Sequence, residues 1–426
     1  MSANRERGQV LVLVALGLVA IMAIVVLTVD GGQLFSEKRS AQNAADNAAL
    51  AAAYAICDEA NPSTAALASA VTNGYNNDVT TNTVILNNPP VSGDHTGDDE
   101  YSEAIIDSHR STYFAQLFGI SDLPVTVRAV SRCVLHFDYA VIALNTDNTV
   151  YGIEIVGGGN LTVNGGAILS NSSHPGRSIY QNCQGGPCGS IQAESIDAVG
   201  GVTCSNCLPA PNTGVPAITD PLAFITPPPK PGGACITADY TGAGVRYLDP
   251  GLYCLIRGDA NVSFYLNPGI YYIDGPGGFE VTGNSNITGI GVMVYFSPTA
   301  GAVDMSGNAF VNLEACQSTG TYEHKPDLAP LSAWCVGFLA QYSGMLFYAD
   351  RSYDQPIAMI GNSTWNAVGT IYAAGSFLDL SGNGDVNNLS SMVVADTIKL
   401  GGATDVVVNY VEGLNVTPPK TISLIE

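Results

Sequence analysis

From Val10 to Val29 the chain runs twenty residues without a charge. At ~1.5 Å of rise per residue this makes ~30 Å of helix, the depth of one bilayer core. The helical pattern continues beyond it. Neither proline nor glycine interrupts Gln33–Ile56, and good helix formers dominate the segment. Leu34, Ala41, Ala45, Ala48, Ala52 and Ile56 fall on one stripe; Ser36, Arg39, Asn43, Asp46 and Asn47 fall on another. A stripe made mostly of alanine admits a close neighbour, either the chain's own domain or another subunit. Asn61-Pro62 ends the segment. Ser63–Asn73 predicts a short helix with Ser63 as cap and Gly74 as stop. Asp78–Leu86, Tyr101–Ser108 and Val125–Cys133 read as strands, and Ser111–Phe118 has helical character.

Farther along, the pattern changes to short Val/Ile/Tyr runs between Gly-Asn turns. Gly159-Asn160, Gly258-Asp259, Gly283-Asn284, Gly307-Asn308, Gly361-Asn362 and Gly382-Asn383 open similar phrases, and Gly402 opens a weaker one. The starts at 258, 283 and 307 step by 25 and 24; those at 361, 382 and 402 step by 21 and 20. Self-similarity at this period signals a solenoid, and the strand-forming composition makes it a parallel β-helix. A β-sandwich with glycine-rich hairpins is the alternative. In the solenoid register Trp365, Val386 and Val406 lie at one offset from their glycines and should stack. The segment 183–233 breaks the period and reads as a Cys/Pro-rich excursion.

The formal net charge of −22, with only 15 Lys plus Arg, excludes nucleic acid as a partner. All ten cysteines follow the apolar run: Cys57, Cys133, Cys183, Cys188, Cys204, Cys207, Cys235, Cys254, Cys316 and Cys335. An even set suits disulfides in an oxidising compartment. Pairing neighbours along the chain is one arrangement, but spacing alone leaves the connectivity open. The apolar run exceeds the ~7–15 residues of a signal-peptide core. It ends in Thr28-Val29-Asp30-Gly31-Gly32 with no small-residue cleavage pattern. An uncleaved anchor is expected. Arg5 and Arg7 on one side nearly balance Lys38 and Arg39 on the other, so the cysteines set the orientation, with the bulk outside.

Arg7-Gly8-Gln9 before the run, Asp30-Gly31-Gly32 at its end, and Gln42-Asn43-Ala44-Ala45-Asp46-Asn47-Ala48-Ala49-Leu50-Ala51 resemble the N-terminal region of TadG-like proteins of the Flp/Tad pilus-assembly system. The phrase from Ser111 to Gly119, followed by Val125–Val130, is similar to the end of that region. The resemblance covers residues 5 to 134 and implies a tight-adherence pilus or a related export machine. Two departures bear on it. Leu13 stands five residues beyond Gly8, where polymerising prepilins carry glutamate, which argues against a cleaved major pilin. Asp304-Met305-Ser306-Gly307-Asn308 lacks the final serine of the metal motif in the von Willebrand A-type domain that many TadG-like proteins carry.

Other constellations read as structural. Cys183, Cys188, Cys204 and Cys207 approach the spacing of a four-cysteine zinc site, but outside the membrane they favour disulfides. Asn145-Thr146-Asp147 resembles a polygalacturonase motif without the acid pair, Gly-His-Gly and Arg-x-Lys those enzymes need, so a turn is expected. His95, His109, His136, His174 and His324 match no nucleophile–base pattern, and the acidic run Asp94–Glu100 lacks calcium-loop spacing.

The expected fold is mainly β. A cytoplasmic tail (1–9), a transmembrane helix (10–29) and a small α+β pilin-like domain (30–135) precede a β-helix-like repeat domain (136–426). The expected function is a non-enzymatic, single-pass surface protein of the cell membrane serving pilus assembly or adhesion. Its partners would be the bilayer through Val10–Val29, Tad pilus or secretion components, and a surface glycan or protein ligand. No catalytic residue, metal or cofactor is assigned. The rival reading is an extracellular carbohydrate-active β-helix enzyme, which clustered acids on one solenoid face would support.

Overall fold

The computed structural model describes residues 5–58, 60–134, 139–183, 186–317, 340–361, 364–382, 386–403 and 405–425. The protein is mainly β, with 44% strand against 18% helix. It divides into two compact units, residues 1–137 with 419–426, and residues 138–418. In sequence the second unit is thus inserted into the first. Residues 419–426 do not extend the repeats as expected. Thr421–Leu424 pairs antiparallel with Asp122–Val134 and closes the sheet of the first unit.

The first unit is built on α1, Arg5–Cys57, whose 53 residues span ~80 Å. α2 (Pro62–Thr72) follows. Its cap is Asn61 and not Ser63: the Asn61 side chain accepts the Thr64 N–H, and Pro62 fills the first turn, where a missing N–H costs nothing. β1 (Asn82–Asn87), β2 (Tyr101–Ser111), β3 (Asp122–Val134) and the C-terminal strand form one antiparallel sheet in that order. The C-terminal half of α1 lies on it. Ala41, Ala44, Ala45, Ala48, Ala49 and Ala52 are fully buried against Ala66 and Ala70 of α2 and Ala104, Ile106, Val125, Val127 and Ala129 of the sheet. Small residues on all three elements let the backbones approach closely. The alanine stripe is therefore filled by the unit's own core. Cys57 and Cys133 join the end of α1 to β3, with Cα atoms 5.7 Å apart.

Strand pairing among the described residues of the second unit is parallel, where glycine-rich hairpins would pair antiparallel. Two long sheets run side by side. One sheet orders Ala167–Ser170, Tyr139–Ala143, Val393–Gly402, Thr370–Asp379, Met345–Ala349, Val292–Phe296 and Gly269–Val281. The chain does not stack in sequence order. Tyr139–Ala143 enters in the middle, beside Val393–Gly402, and Asn145 donates to Asp396, 251 residues away. The chain climbs outward to Asn212–Thr213, crosses to Ile236–Thr241 at the far end, and returns strand by strand to the middle. So the expected excursion at 183–233 is largely wrong: Ile191–Gln192, Ile196–Ala198, Val202–Thr203, Cys207–Leu208 and Asn212–Thr213 are ladder strands. The stretch 214–235 departs from the ladders.

That segment straps the outer face of one sheet. Tyr272, Tyr295, Tyr348 and Tyr372 occupy one register line, with ring centroids 4.7 to 5.3 Å apart. They are buried because the strap lies over them. Tyr348 donates to Ile225 O at 3.1 Å and Tyr372 to Asp220 at 2.6 Å. Arg351 reaches Leu222 O, Ile225 O and Asp220, and Lys230 pairs with Asp274. Burial pushes the Tyr348 hydroxyl up to about 12.

Glycine corners repeat as expected, with two corrections. Gly361, Gly382 and Gly402 bridge one another, and Gly157 continues the line. Gly307 has φ +87°, and a Cβ there would lie 2.4 Å from Gly283 O. Left-handed backbone and close stacking both exclude a side chain. The equivalent of Gly283 is Ala260 and not Gly258, and the equivalent of Gly402 is Gly157 and not Gly159. Ala260 takes the corner with φ +76°. Val386 pairs with Val406, but the next ladder pairs Asn366 with Asn388. Trp365 therefore lies one residue out of the expected line. An irregularity between Val386 and Leu389 absorbs the difference.

Candidate functional site

The polar residues that α1 carries after the apolar run are the most elaborated feature of the first unit. Among the described residues up to Ile24 no side chain of the helix is buried: Leu13, Leu16, Val19 and Ile24 are more than half exposed. The described stretch Val12–Cys57 is long and apolar enough to cross a membrane. Immediately after the run, Asp30 is buried. Its carboxylate accepts the backbone N–H groups of Tyr113, Phe114 and Ala115 at 2.9, 3.0 and 2.6 Å. This ties the turn between β2 and β3 to the start of the half of the helix that packs on the sheet. It also explains the local fold. The carboxylate satisfies three N–H groups that open the short 3-10 turn Ala115–Phe118, and Gly119 ends that turn with φ +84°. The expected helical element at Ser111–Phe118 is shortened accordingly.

Two turns on, Glu37 is buried and accepts Tyr75 Oη at 3.0 Å, Ser108 Oγ at 2.8 Å and Arg110 Nε at 2.6 Å. Burial, then the Glu37 carboxylate beside it, pushes the Tyr75 hydroxyl above its ordinary value. Gln42 donates to Arg128 O at 3.0 Å and to Asp46 at 2.8 Å. Glu103 in β2 is fully buried and faces Arg128, Ser92, Asn87 and the Val91 N–H. Burial alone would raise its pKa; these donors outweigh it and hold the carboxyl at about 2.

Asp30 and Glu37 went unassigned from sequence. The signal was present: 30, 34, 37, 41, 44, 45 and 48 follow helical spacing, so both acids are in phase with the buried alanines. A charged residue on a core stripe needs a partner, and each has several.

Among the described residues Cys57–Cys133, Cys183–Cys188, Cys204–Cys207 and Cys235–Cys254 form bridges. Cys316 is also disulfide-bonded; Cys335 lies outside the described residues. The four cysteines with zinc-like spacing are therefore used in two short bridges. Asn145-Thr146-Asp147 is a turn, with the Asp147 N–H donating to Asn145 Oδ1 and the Thr149 N–H to Asp147. His95 stacks on Tyr101, His109 pairs with Asp122, and His174 accepts the N–H groups of Gly176 and Arg177. His136 and His324 lie outside the described residues. Among the described residues no group of three His, Cys, Asp or Glu could hold a metal ion.

The second unit carries one charged register line. Asp239, Arg257, Glu280 and Asp304 follow one another on adjacent strands, and Asp379, Lys399 and Glu154 continue the line beyond Ala358. Cations interleave the acids: Arg257 lies 3.2 Å from Glu280 and 4.0 Å from Asp239, and Lys399 lies 3.8 Å from Asp379. An open cleft beside the other sheet is lined by Thr162, Asn164, Gln192, Glu194, Leu208 and Pro209.

The first unit thus presents an apolar N-terminal helix whose polar continuation is seated on a small sheet. Residues 8–55 of that helix match the Tad family, described as "Putative Flp pilus-assembly TadE/G-like". No curated protein and no solved structure matches the chain.

Proposed function

We propose that the chain is a non-enzymatic, membrane-anchored surface protein that serves Flp/Tad pilus assembly or adhesion. The observation that carries this reading is the TadE/G-like match at residues 8–55, which lies on the helix whose described apolar side chains up to Ile24 are exposed. The bulk of the chain lies outside the cytoplasm, a placement supported by the disulfides in both units. The first unit is pilin-like, a long helix packed by its C-terminal half on an antiparallel sheet. The second is a parallel β-helix, a reading supported by its parallel ladders and stacked glycine corners. It is the part that meets a surface glycan or protein. The interleaving of Arg257 and Lys399 favours a structural charge ladder over the free carboxylate pair that glycoside hydrolysis uses.

Deletion of the gene tests this reading, with filament counts and surface adherence as readouts. Loss of either, restored by the full chain, supports it. Unchanged filaments and unchanged adherence overturn it. Complementation by a chain lacking 138–418 separates the roles: filaments without adherence assign adhesion to the second unit.

A further inference from the structure

The turn between β2 and β3 has a composition unlike the rest of the unit. From Ser111 to Ser121 there are eleven residues and no charge, in a chain whose net charge is −22. Tyr113, Leu117, Phe118 and Ile120 are 63, 65, 61 and 51% exposed. Elsewhere on the sheet and its turns Val79, Ile85 and Val91 stand singly, and Ile422, Leu424 and Ile425 at the C-terminal strand are less exposed, at 36, 42 and 42%; the four side chains of this turn form the more exposed cluster. Such a cluster marks an interaction surface.

Its position in the fold names the partner. The base of the turn is closed by the Thr112 N–H donating to Ser121 O at 3.1 Å and Thr112 Oγ1 to Ile120 O at 2.5 Å. Its near limb is held on Asp30 by three N–H groups. Asp30 is the residue directly after the Val10–Val29 run. A helix that places Val29 at the edge of the hydrocarbon places this turn at the same depth, within about a turn of helix. Phe35, 77% exposed, stands on α1 ~7 Å farther on. Aromatic and aliphatic side chains at this level are those that partition into the boundary between headgroups and acyl chains. An acidic protein approaching an anionic surface also gains by keeping carboxylates out of the contact, as this segment does.

We propose that the Ser111–Ser121 turn is a lipid-contacting loop, inserting Tyr113, Leu117, Phe118 and Ile120 into the bilayer interface beside the anchor helix. With Asp30 as the tie, the loop and the helix enter the same leaflet. The first unit is then held against the membrane at two points, which restricts its tilt relative to the anchor. This rests on the anchor reading above.

The test uses the full chain reconstituted into vesicles of zwitterionic lipid brominated near the carbonyl end of the acyl chain. Phe118→Trp is the probe. Leu117→Trp is a second probe should the first fold poorly. Val91→Trp is the reference, because Val91 lies beside Glu103, about 20 Å farther along the helix. Emission of the unsubstituted chain is subtracted to remove Trp334 and Trp365. The expected result is that tryptophan at 118 loses on the order of half its emission to bromine while that at 91 loses little. Equal quenching at both positions overturns the proposal. So does a blue-shifted but unquenched signal at 118, which assigns the surface to protein. A chain that alkaline carbonate releases from the vesicles fails the anchor reading itself, a failure distinct from an embedded chain with an unquenched loop.

Discussion

Replacing Glu37 tests whether the polar half of α1 is seated on its own sheet or reserved for another subunit. Glu37 holds three donors with two oxygens: Tyr75 and Ser108 share one, and Arg110 takes the other. In Glu37→Ala the Tyr75 and Ser108 hydroxyls, both buried, lose their acceptor, at about 1–3 kcal/mol each. Arg110 is 64% exposed and turns to water, adding about 0–1 kcal/mol. The sum is about 2–7 kcal/mol. In Glu37→Gln the amide oxygen still serves the hydroxyls, and only the charge-assisted bond to the exposed Arg110 is lost, for about 0–1 kcal/mol. The readout is hydrogen exchange of the Ala104 and Ile106 amides in the centre of β2, measured on the detergent-solubilised chain with its disulfides intact. The opening free energy of these amides should fall in the order wild type, Gln, Ala. A double-mutant cycle with Arg110→Ala should return a coupling of about 1 kcal/mol. Both single variants within ~0.5 kcal/mol of wild type, or a cycle with no coupling, would refute the seat.

Glu103 is held at about 2 against an ordinary 4.5. Its folded pKa is depressed, so its contribution is complete above about 4.5 and is lost as pH falls toward 2. Exchange of the β2 amides should accelerate across that window, and Glu103→Gln should flatten the response. Gly307→Ala should destabilise the second unit by about 2–4 kcal/mol, because it adds a left-handed alanine that collides with Gly283 O. Gly232→Ala, with open space around it, should leave thermal unfolding unchanged. Arg351→Ala removes three strap contacts, for about 2 kcal/mol, and should speed proteolysis within 214–235; a cleavage rate equal to wild type counts against the strap.

The first unit was legible because its signals are local. The apolar run, the alanine stripe and the three strands are each set by neighbours a few residues apart. What escaped were the two acids on the core stripe, whose partners lie 38 to 85 residues away. The Asn61 cap was masked by the equally plausible Ser63. In the second unit the glycine period announced stacked strands, since a left-handed corner leaves its mark on residue choice. It could not announce order. A strand at 139–143 lies as comfortably beside 393–395 as beside 167–170, and apolar periodicity carries no address. The two misaligned phrases share one cause: Gly258 and Gly159 are sequence matches, while the backbone places Ala260 and Gly157 at the corners. The strap was visible only as prolines. Its role depends on tyrosines that are more than a hundred residues distant.

Protease treatment of right-side-out membrane vesicles, washed with alkaline carbonate, tests the central claim most directly. The account expects the chain to stay in the pellet, externally added protease to digest residues beyond the first unit without lysis, and the apolar helix to remain behind as a membrane-bound fragment. A chain released by carbonate, or one cut only after the vesicles are opened, would contradict an anchored protein that presents its second unit at the surface.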